Sequence, residues 1–169
     1  MDTTDKSPLP AGVTLRHELK PGDIGTLTRL HGVLYSEEQG WDHTFEAYVA
    51  GPLSEFAGSH TERERIWIVE KDRKVAGSIA VVEASREEAQ LRWLLLNPDL
   101  RGQGIGRVLV GEAIRFSREH GYSSVFLWTV SALTPAARLY AHFGFRLTEE
   151  ETREMWGAVV TEQRYELKL

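Results

Sequence analysis

The chain of 169 residues contains no cysteine. That excludes a disulfide framework and any chemistry that runs through a thiol nucleophile, a covalent acyl-cysteine included. No apolar stretch approaches the ~18 residues that a membrane span requires. Met1 to Pro10 is polar and lacks a signal-peptide core, so a flexible tail and a cytoplasmic location are expected. No Cys or His constellation has metal-ligand spacing, and no metal is expected. Repeats, low-complexity tracts and an interdomain linker are all missing. The length suits one domain with a sizeable core, so the expected organisation is a tail, 1–10, followed by a single domain, 11–169.

Net charge is −5, which argues against nucleic acid as a partner. Its distribution is uneven. Through His60 there are nine Asp/Glu against four Lys/Arg, whereas the remainder carries sixteen of each and sums to zero. Either this is a solvated acidic surface, or it is an acidic mouth that attracts a cationic amine.

The most informative segment is Arg101-Gly102-Gln103-Gly104-Ile105-Gly106-Arg107. It follows the apolar run Leu94-Leu95-Leu96 and the breaker Asn97-Pro98-Asp99, and it opens an amphipathic segment from Ile105 to Glu119. The order reads strand, glycine loop, helix. A helix start presents unpaired N–H groups and the positive end of the macrodipole. Glycines let that backbone approach a bulky anion, so the segment is a candidate pyrophosphate cradle. A Walker loop fails on spacing, because the position five residues after Gly102 is Arg107 and no Lys-Ser/Thr follows. The dinucleotide pattern GxGxxG fails at the same Arg107. A tight turn with no ligand is the plain alternative.

A second segment runs from Thr134 to Phe145. Thr134 is the expected N-cap, Pro135 the first helical residue, and Gly144 the stop. Ala136, Leu139, Tyr140 and Phe143 fall at i, i+3, i+4 and i+7 on one face.

Between these landmarks the periodicity predicts a strand over Val13 to Leu19 and helices from Ile24 to about Tyr35 and from about Thr44 to Phe56. A loop is expected over Glu37 to Asp42. Strands follow over Ile66–Glu70, Val75–Glu83 and Gln90–Leu96, then the Ile105–Glu119 helix, a strand over Ser124–Val130 and the Tyr140 helix. Arg146–Trp156 and Thr161–Leu167 close the chain as an antiparallel pair. The order βααβββαβαββ implies a three-layer α/β (α+β) domain around a mixed sheet.

Arg101, Gly104 and Gly106 occupy the fixed places of [QR]xxGx[GA], and Ala136, Leu139, Tyr140, Gly144 and Phe145 fit AxxLYxxxGF. Together and in this order they resemble the GNAT superfamily of N-acetyltransferases, whose element order the chain also follows. A narrower likeness, to the acetyltransferase halves of MarR-type regulator/acetyltransferase fusions, rests on the following residues. They are His31-Gly32-Val33-Leu34-Tyr35, Gly40-Trp41-Asp42, Phe45-Glu46, Leu91-Arg92, Leu127-Trp128-Thr129 and Glu149-Glu150-Glu151.

The resemblance implies a mostly antiparallel sheet with splayed central parallel strands, and acetyl-CoA as co-substrate. Its pantetheine would pair with Leu94, Leu95 and Leu96, and its pyrophosphate would sit on the backbone of Arg101, Gly102, Gln103, Gly104, Ile105, Gly106 and Arg107. Arg138 could reach the nucleotide end; for it and Arg107 a solvated helix face is the alternative. The family often has Asn at the position of Leu133, and Thr129 or Ser131 could replace that contact. Tyr140 matches the tyrosine that protonates the leaving thiolate, with a packing role as the alternative. The base is open. Freeing an alkyl amine of pKa ~10.4 at neutral pH costs roughly 4–5 kcal/mol, and Gln90 stands where some relatives carry Glu. Glu83, Glu38, Asp42 and His31 are candidates, as is a water chain. The acceptor is expected to be a small-molecule or peptide amine, and a homodimer is possible. A non-catalytic acyl-CoA-binding module on the same fold is the competing function, and an unusual nucleotide-binding protein a more distant one.

Overall fold

The computed structural model describes residues 8–169, and seven strands form one sheet in the order β1-β2-β3-β4-β5-β7-β6. The chain runs β1 (Val13–Arg16), α1 (Asp23–Gln39), α2 (His43–Ser59), β2 (Arg65–Lys71), β3 (Lys74–Glu83) and β4 (Glu88–Leu96). It continues with α3 (Ile105–Glu119), β5 (Ser124–Val130), α4 (Thr134–His142), β6 (Arg146–Met155) and β7 (Ala158–Lys168). Every neighbouring pair is antiparallel except β4 with β5. That pair is joined by the crossover through α3, which parallel strands require. The mixed α/β architecture and element order are those read from the sequence.

Side-chain alternation sends the sheet's apolar residues to two layers. On one face Trp67, Val69, Ile79, Val81, Ala89, Leu91, Val125 and Leu127 pack against α3 and the Tyr140 end of α4. On the other, Ile66, Ile68, Ala80, Trp93, Val130 and Val160 meet Leu27 of α1 and Phe45, Val49, Leu53 and Phe56 of α2. The expected tail lies outside the described residues as far as residue 7, and Leu9 packs against the α3-side core. Among the described residues no helix is long and apolar enough to cross a membrane.

Several boundaries differ from the pattern, each for a local reason. The Glu37–Asp42 loop starts late, because Glu37-Glu38-Gln39 are good helix formers and extend α1 to Gly40. There a left-handed φ of 73° ends the helix, with the Gly40 N–H donating to Ser36 O at 2.9 Å. Thr134 is inside α4 rather than at its N-cap, which is Leu133 with no side-chain cap bond. β7 begins at Ala158, not Thr161, because Trp156-Gly157 is a two-residue turn with φ of 57° and 75° at its two positions. Both angles are positive, as a type I′ hairpin needs, and a tryptophan at the first of them is unusual.

β1 stops at Arg16 instead of Leu19 because Arg16 ties three elements together. Its Nη1 and Nη2 donate to the buried Asp23 carboxylate at 2.7 and 2.8 Å, and its Nε to Glu70 of β2. The Lys20 N–H adds a third bond to Asp23 at 2.7 Å. Burial opposes the charge on Asp23, but the Arg16 and Lys20 bonds outweigh it and hold the carboxyl below its ordinary range. This network anchors the start of α1. Asp23→Ala, which strips Arg16 of its bidentate partner, is expected to lower unfolding free energy by about 2–3 kcal/mol, as checked by urea denaturation at neutral pH.

Candidate active site

β4 and β5 pair only over Glu88↔Ser124, Ala89↔Val125 and Gln90↔Phe126. Beyond Gln90 they part. The cause lies on the other edge of β4, where Ser78 faces Leu95 but Ala80 faces Arg92, so β4 carries an extra residue. Trp93 takes φ 54° at this bulge, and Ser78 Oγ donates to its carbonyl at 2.6 Å in the buried interior. Glycine at 77 lets β3 stay close, since a Cβ there would lie 2.4 Å from Leu95 O. The β5-facing edge of Leu91 to Leu96 is therefore left without a strand partner, a template for an extended ligand.

The gap opens into a cleft of about 1300 Å³. Leu94, Leu95 and Leu96 line it, together with every residue from Arg101 to Arg107. The Arg101 N–H is used by Pro98 O at 3.2 Å, and Val108 N–H reaches Gly104 O at 3.3 Å. None of the amides from 102 to 107 has a backbone acceptor among the described residues. Gly102 and Gly104 have φ of 75° and 82°, and an added Cβ at either would point into open space. The loop thus offers free donors at the start of α3, with Arg107, Arg115 and Arg118 on the same wall. Arg101 is fixed differently: its Nη1 pairs with Glu38 of α1 at 2.8 Å and its Nε donates to Leu96 O at 3.2 Å.

A second cleft of about 190 Å³ lies on the α1–α2 side of the sheet. Tyr35, Leu94, Leu133 and Ala136 line both, so the two spaces meet at the splay. Tyr140 lines the second cleft, and burial holds its phenol above the ordinary value, hence protonated at neutral pH. Burial also pushes Tyr35 up to about 12. His31 is 3% exposed and lines the same cleft. Its Nδ1 donates to Leu27 O at 2.7 Å, which leaves the lone pair on Nε2, the one buried side-chain polar atom among the described residues with no partner. Desolvation lowers its pKa to about 4.

Residues 28–145, well over half the chain, match the acetyltransferase (GNAT) family. The chain belongs to this family. It is 35% identical over 121 residues to an uncharacterized N-acetyltransferase of Schizosaccharomyces pombe, covering 68% of this chain and 72% of that protein. To human N-acetyltransferase 8B it is 25% identical over 144 residues, covering 81% of this chain. The chain spans 63% of that human relative and 38% of the rat N-acetyltransferase family 8 member 2. Among solved structures, yncA of Salmonella typhimurium with its cofactor acetyl-CoA superposes with a TM-score of 0.75 at 16% identity, covering 93% of this chain and 94% of that one. An acetyltransferase from Streptococcus agalactiae gives 0.74 at 18% identity, over 94% and 99%.

Within this GNAT domain the sequence-predicted residues divide. Leu94 to Leu96 and Arg101 to Arg107 share one cleft, and Tyr140 and Thr129 line the other. Arg138 is exposed on α4 and lines neither. Glu38 lines the larger cleft but is held by Arg101. Glu83 lines neither cleft; its carboxylate is 2.6 Å from Arg63. Asp42 is the exposed N-cap of α2 and accepts from Thr44 N–H at 2.9 Å. The acidic N-terminal third does not gather at the second cleft, whose one carboxylate is Glu162 of β7. Among the described residues no group of three or more His, Cys, Asp or Glu could hold a metal. Sequence reasoning missed Glu162, Trp93 and Trp156 as site residues. Gly157 between two alternating runs marks a turn, but no local pattern places Trp156 in the site.

Burial of a neutral His31 has a consequence for stability. Its unfolded imidazole takes up a proton as pH falls below 6.5, the folded one only near 4. The folded state is favoured above 6.5 and loses about 3 kcal/mol from this group as pH falls to 4. His31→Gln removes that term, so the difference in unfolding free energy between pH 7.5 and pH 4.5 is expected to shrink by about 2–3 kcal/mol in chemical denaturation.

Proposed function

We propose that the protein is an acetyl-CoA-dependent N-acetyltransferase that moves the acetyl group to a primary amine by direct attack. The observation that carries this reading is the junction of the two clefts. One offers free loop amides and an unpaired strand edge, the other a protonated tyrosine, and they meet at Leu94. Acetyl-CoA, when bound, supplies an acyl thioester to that junction. The residues present fit it: amides 102–107 and Arg107 for the phosphates, and the open edge of Leu94 to Leu96 for an amide-bearing arm.

The chain's own residues then divide the work. An unpaired amide of the Leu94–Leu96 edge polarises the carbonyl. Tyr140, which burial holds protonated, gives its proton to the sulfur as the carbon–sulfur bond breaks. The amine's proton does not go to Glu83, which lies outside both clefts on Arg63. It does not go to His31 as a net transfer either. From an ammonium of pKa ~10.4 to a group held at about 4 the step is uphill by roughly 9 kcal/mol. His31 Nε2 instead accepts a hydrogen bond from the amine and orients it. Glu162, or water entering at the rim, is left to carry the proton away.

The direct test is CoA release from acetyl-CoA against a broad amine panel. Binding of acetyl-CoA with no release from any amine would leave only an acyl-CoA-binding module. Gly104→Glu is expected to weaken acetyl-CoA by more than about tenfold, since the charge would stand at the phosphate position. Gly104→Ala has the same backbone cost at this left-handed φ, roughly 1–2 kcal/mol, without the charge, so the two variants separate strain from repulsion in a calorimetric titration. Tyr140→Phe is expected to lower turnover on poor substrates by ~10²–10⁴-fold with little change in acetyl-CoA affinity. Unchanged turnover would make Tyr140 a packing residue.

A further inference from the structure

The smaller cleft has a chemical character of its own. Aromatic rings line much of its wall. Trp41 and Trp156 have centroids 4.5 Å apart, Phe45 is 4.9 Å from Trp156, and Tyr48 is 5.3 Å from it. Tyr48 and Trp128 keep 46% and 39% of their surface exposed at the rim. They are the two aromatics among the exposed large hydrophobic residues, and both face this one space. Exposed aromatic side chains lining one space fit a flat apolar ligand.

Two charged side chains share the cleft, Arg92 and Glu162. Glu162 is ion-paired with Arg153 at 3.3 Å. Arg92 is half-buried with its guanidinium 4.9 Å over the Trp93 ring, and among the described residues no carboxylate or other acceptor engages it. It does not line the cleft of the glycine loop, so it is not placed to meet the cofactor's phosphates. A half-buried guanidinium on an apolar wall is a site for a planar anion, and a carboxylate matches its fork in two parallel bonds. Arg92 stands two residues before Leu94, where the clefts join. A carboxylate held there keeps an amine one carbon away beside the junction. The volume, about 190 Å³, is below the ~300–1,000 Å³ of sites for drug-sized ligands, which suits a molecule of amino-acid size rather than a peptide.

We infer that the acceptor is a free α-amino acid with an aromatic side chain, its carboxylate on Arg92, its ammonium entering beside Glu162 and its ring against Tyr48, Trp128 and Trp156. A peptide N-terminus or a simple alkylamine lacks the carboxylate next to the reacting nitrogen. This rests on the amine-acetylating reading above and specifies its substrate.

The test compares CoA release with L-phenylalanine, its methyl ester, phenethylamine and L-alanine. In the wild type kcat/KM is expected to favour phenylalanine over the ester and phenethylamine by on the order of 10–100-fold, mainly through KM. Phenylalanine is also expected to exceed alanine. In Arg92→Gln, folded by circular dichroism, the ratio of phenylalanine to phenethylamine should fall toward one. Arg92→Lys should keep an intermediate ratio, and it supplies the same readout if the glutamine variant does not fold. Equal use of phenylalanine and phenethylamine, an unchanged ratio in both Arg92 variants, or alanine used as well as phenylalanine would overturn the inference. So would turnover confined to other amines, which would still leave an N-acetyltransferase. Acetyl-CoA binding without release from any amine would instead remove the reading on which the inference stands.

Discussion

The hydrogen bond from Ser78 Oγ to the Trp93 carbonyl, 2.6 Å long and fully buried, fixes the feature on which the site depends. A bulge leaves one backbone segment without its ladder partner, and a buried unpaired carbonyl costs on the order of 1–3 kcal/mol. Ser78 supplies the missing donor from the neighbouring strand. With the bulge stable at Trp93, β4 turns away from β5 after only three paired residues. The same irregularity has two products. The strand edge from Leu91 to Leu96 is left without a strand partner, and Trp93 itself is delivered to the α1–α2 face, where it packs against Phe56 at 5.6 Å. One local distortion therefore opens one cleft and furnishes a wall of the other.

The second cleft also needs closure from the far edge of the sheet. The β6–β7 hairpin does this through its tip. Trp156 in the left-handed region places its ring against Trp41, and the Asp42 N–H donates to Trp156 O at 2.9 Å. Gly157 permits the contact, as a Cβ there would sit 2.8 Å from Asp42 Oδ2. A bulky residue with positive φ is an unfavourable choice for a turn that only joins two strands. At this tip the strain is offset by ring contacts that seal the α1–α2 loop onto the sheet. Strain at a ligand-facing position is common where the surroundings over-determine the conformation.

What the sequence made legible follows from the range of the interactions involved. The α3 boundaries, Ile105 and Glu119, are set by neighbouring residues: a glycine loop before and an amphipathic period within. The loop's donors are legible for the same reason, since helix starts always leave amides unpaired. Long-range facts were not. Nothing local in Leu91-Arg92-Trp93 announces a bulge, which is defined against Ser78, fifteen residues away. Glu83 is a base candidate by its expected nearness to the acceptor side, yet Arg63 lies twenty residues before it and claims the carboxylate. Glu162 sits on the last strand, with no pattern to link it to His31 or Arg92; the sheet order β4-β5-β7 and the packing of α1 on that face bring the three to one space.

The two clefts also differ in how they handle charge, and the difference has a physical logic. The larger one presents arginines and free amides at its solvent-facing end, where Arg107 is exposed. The phosphates of the proposed co-substrate would keep part of their hydration there while backbone dipoles neutralise the rest. The smaller one excludes net charge: one arginine, one glutamate and a histidine that burial keeps neutral. An amine must be uncharged to attack, and an apolar surround favours the uncharged form. For the proposed reaction, rings and a neutral imidazole around the junction would thus lower an amine's affinity for its proton before any base acts. Gln90 lines this cleft and adds no charge to it, so Glu162 is the carboxylate that meets the ammonium in the proposed reaction.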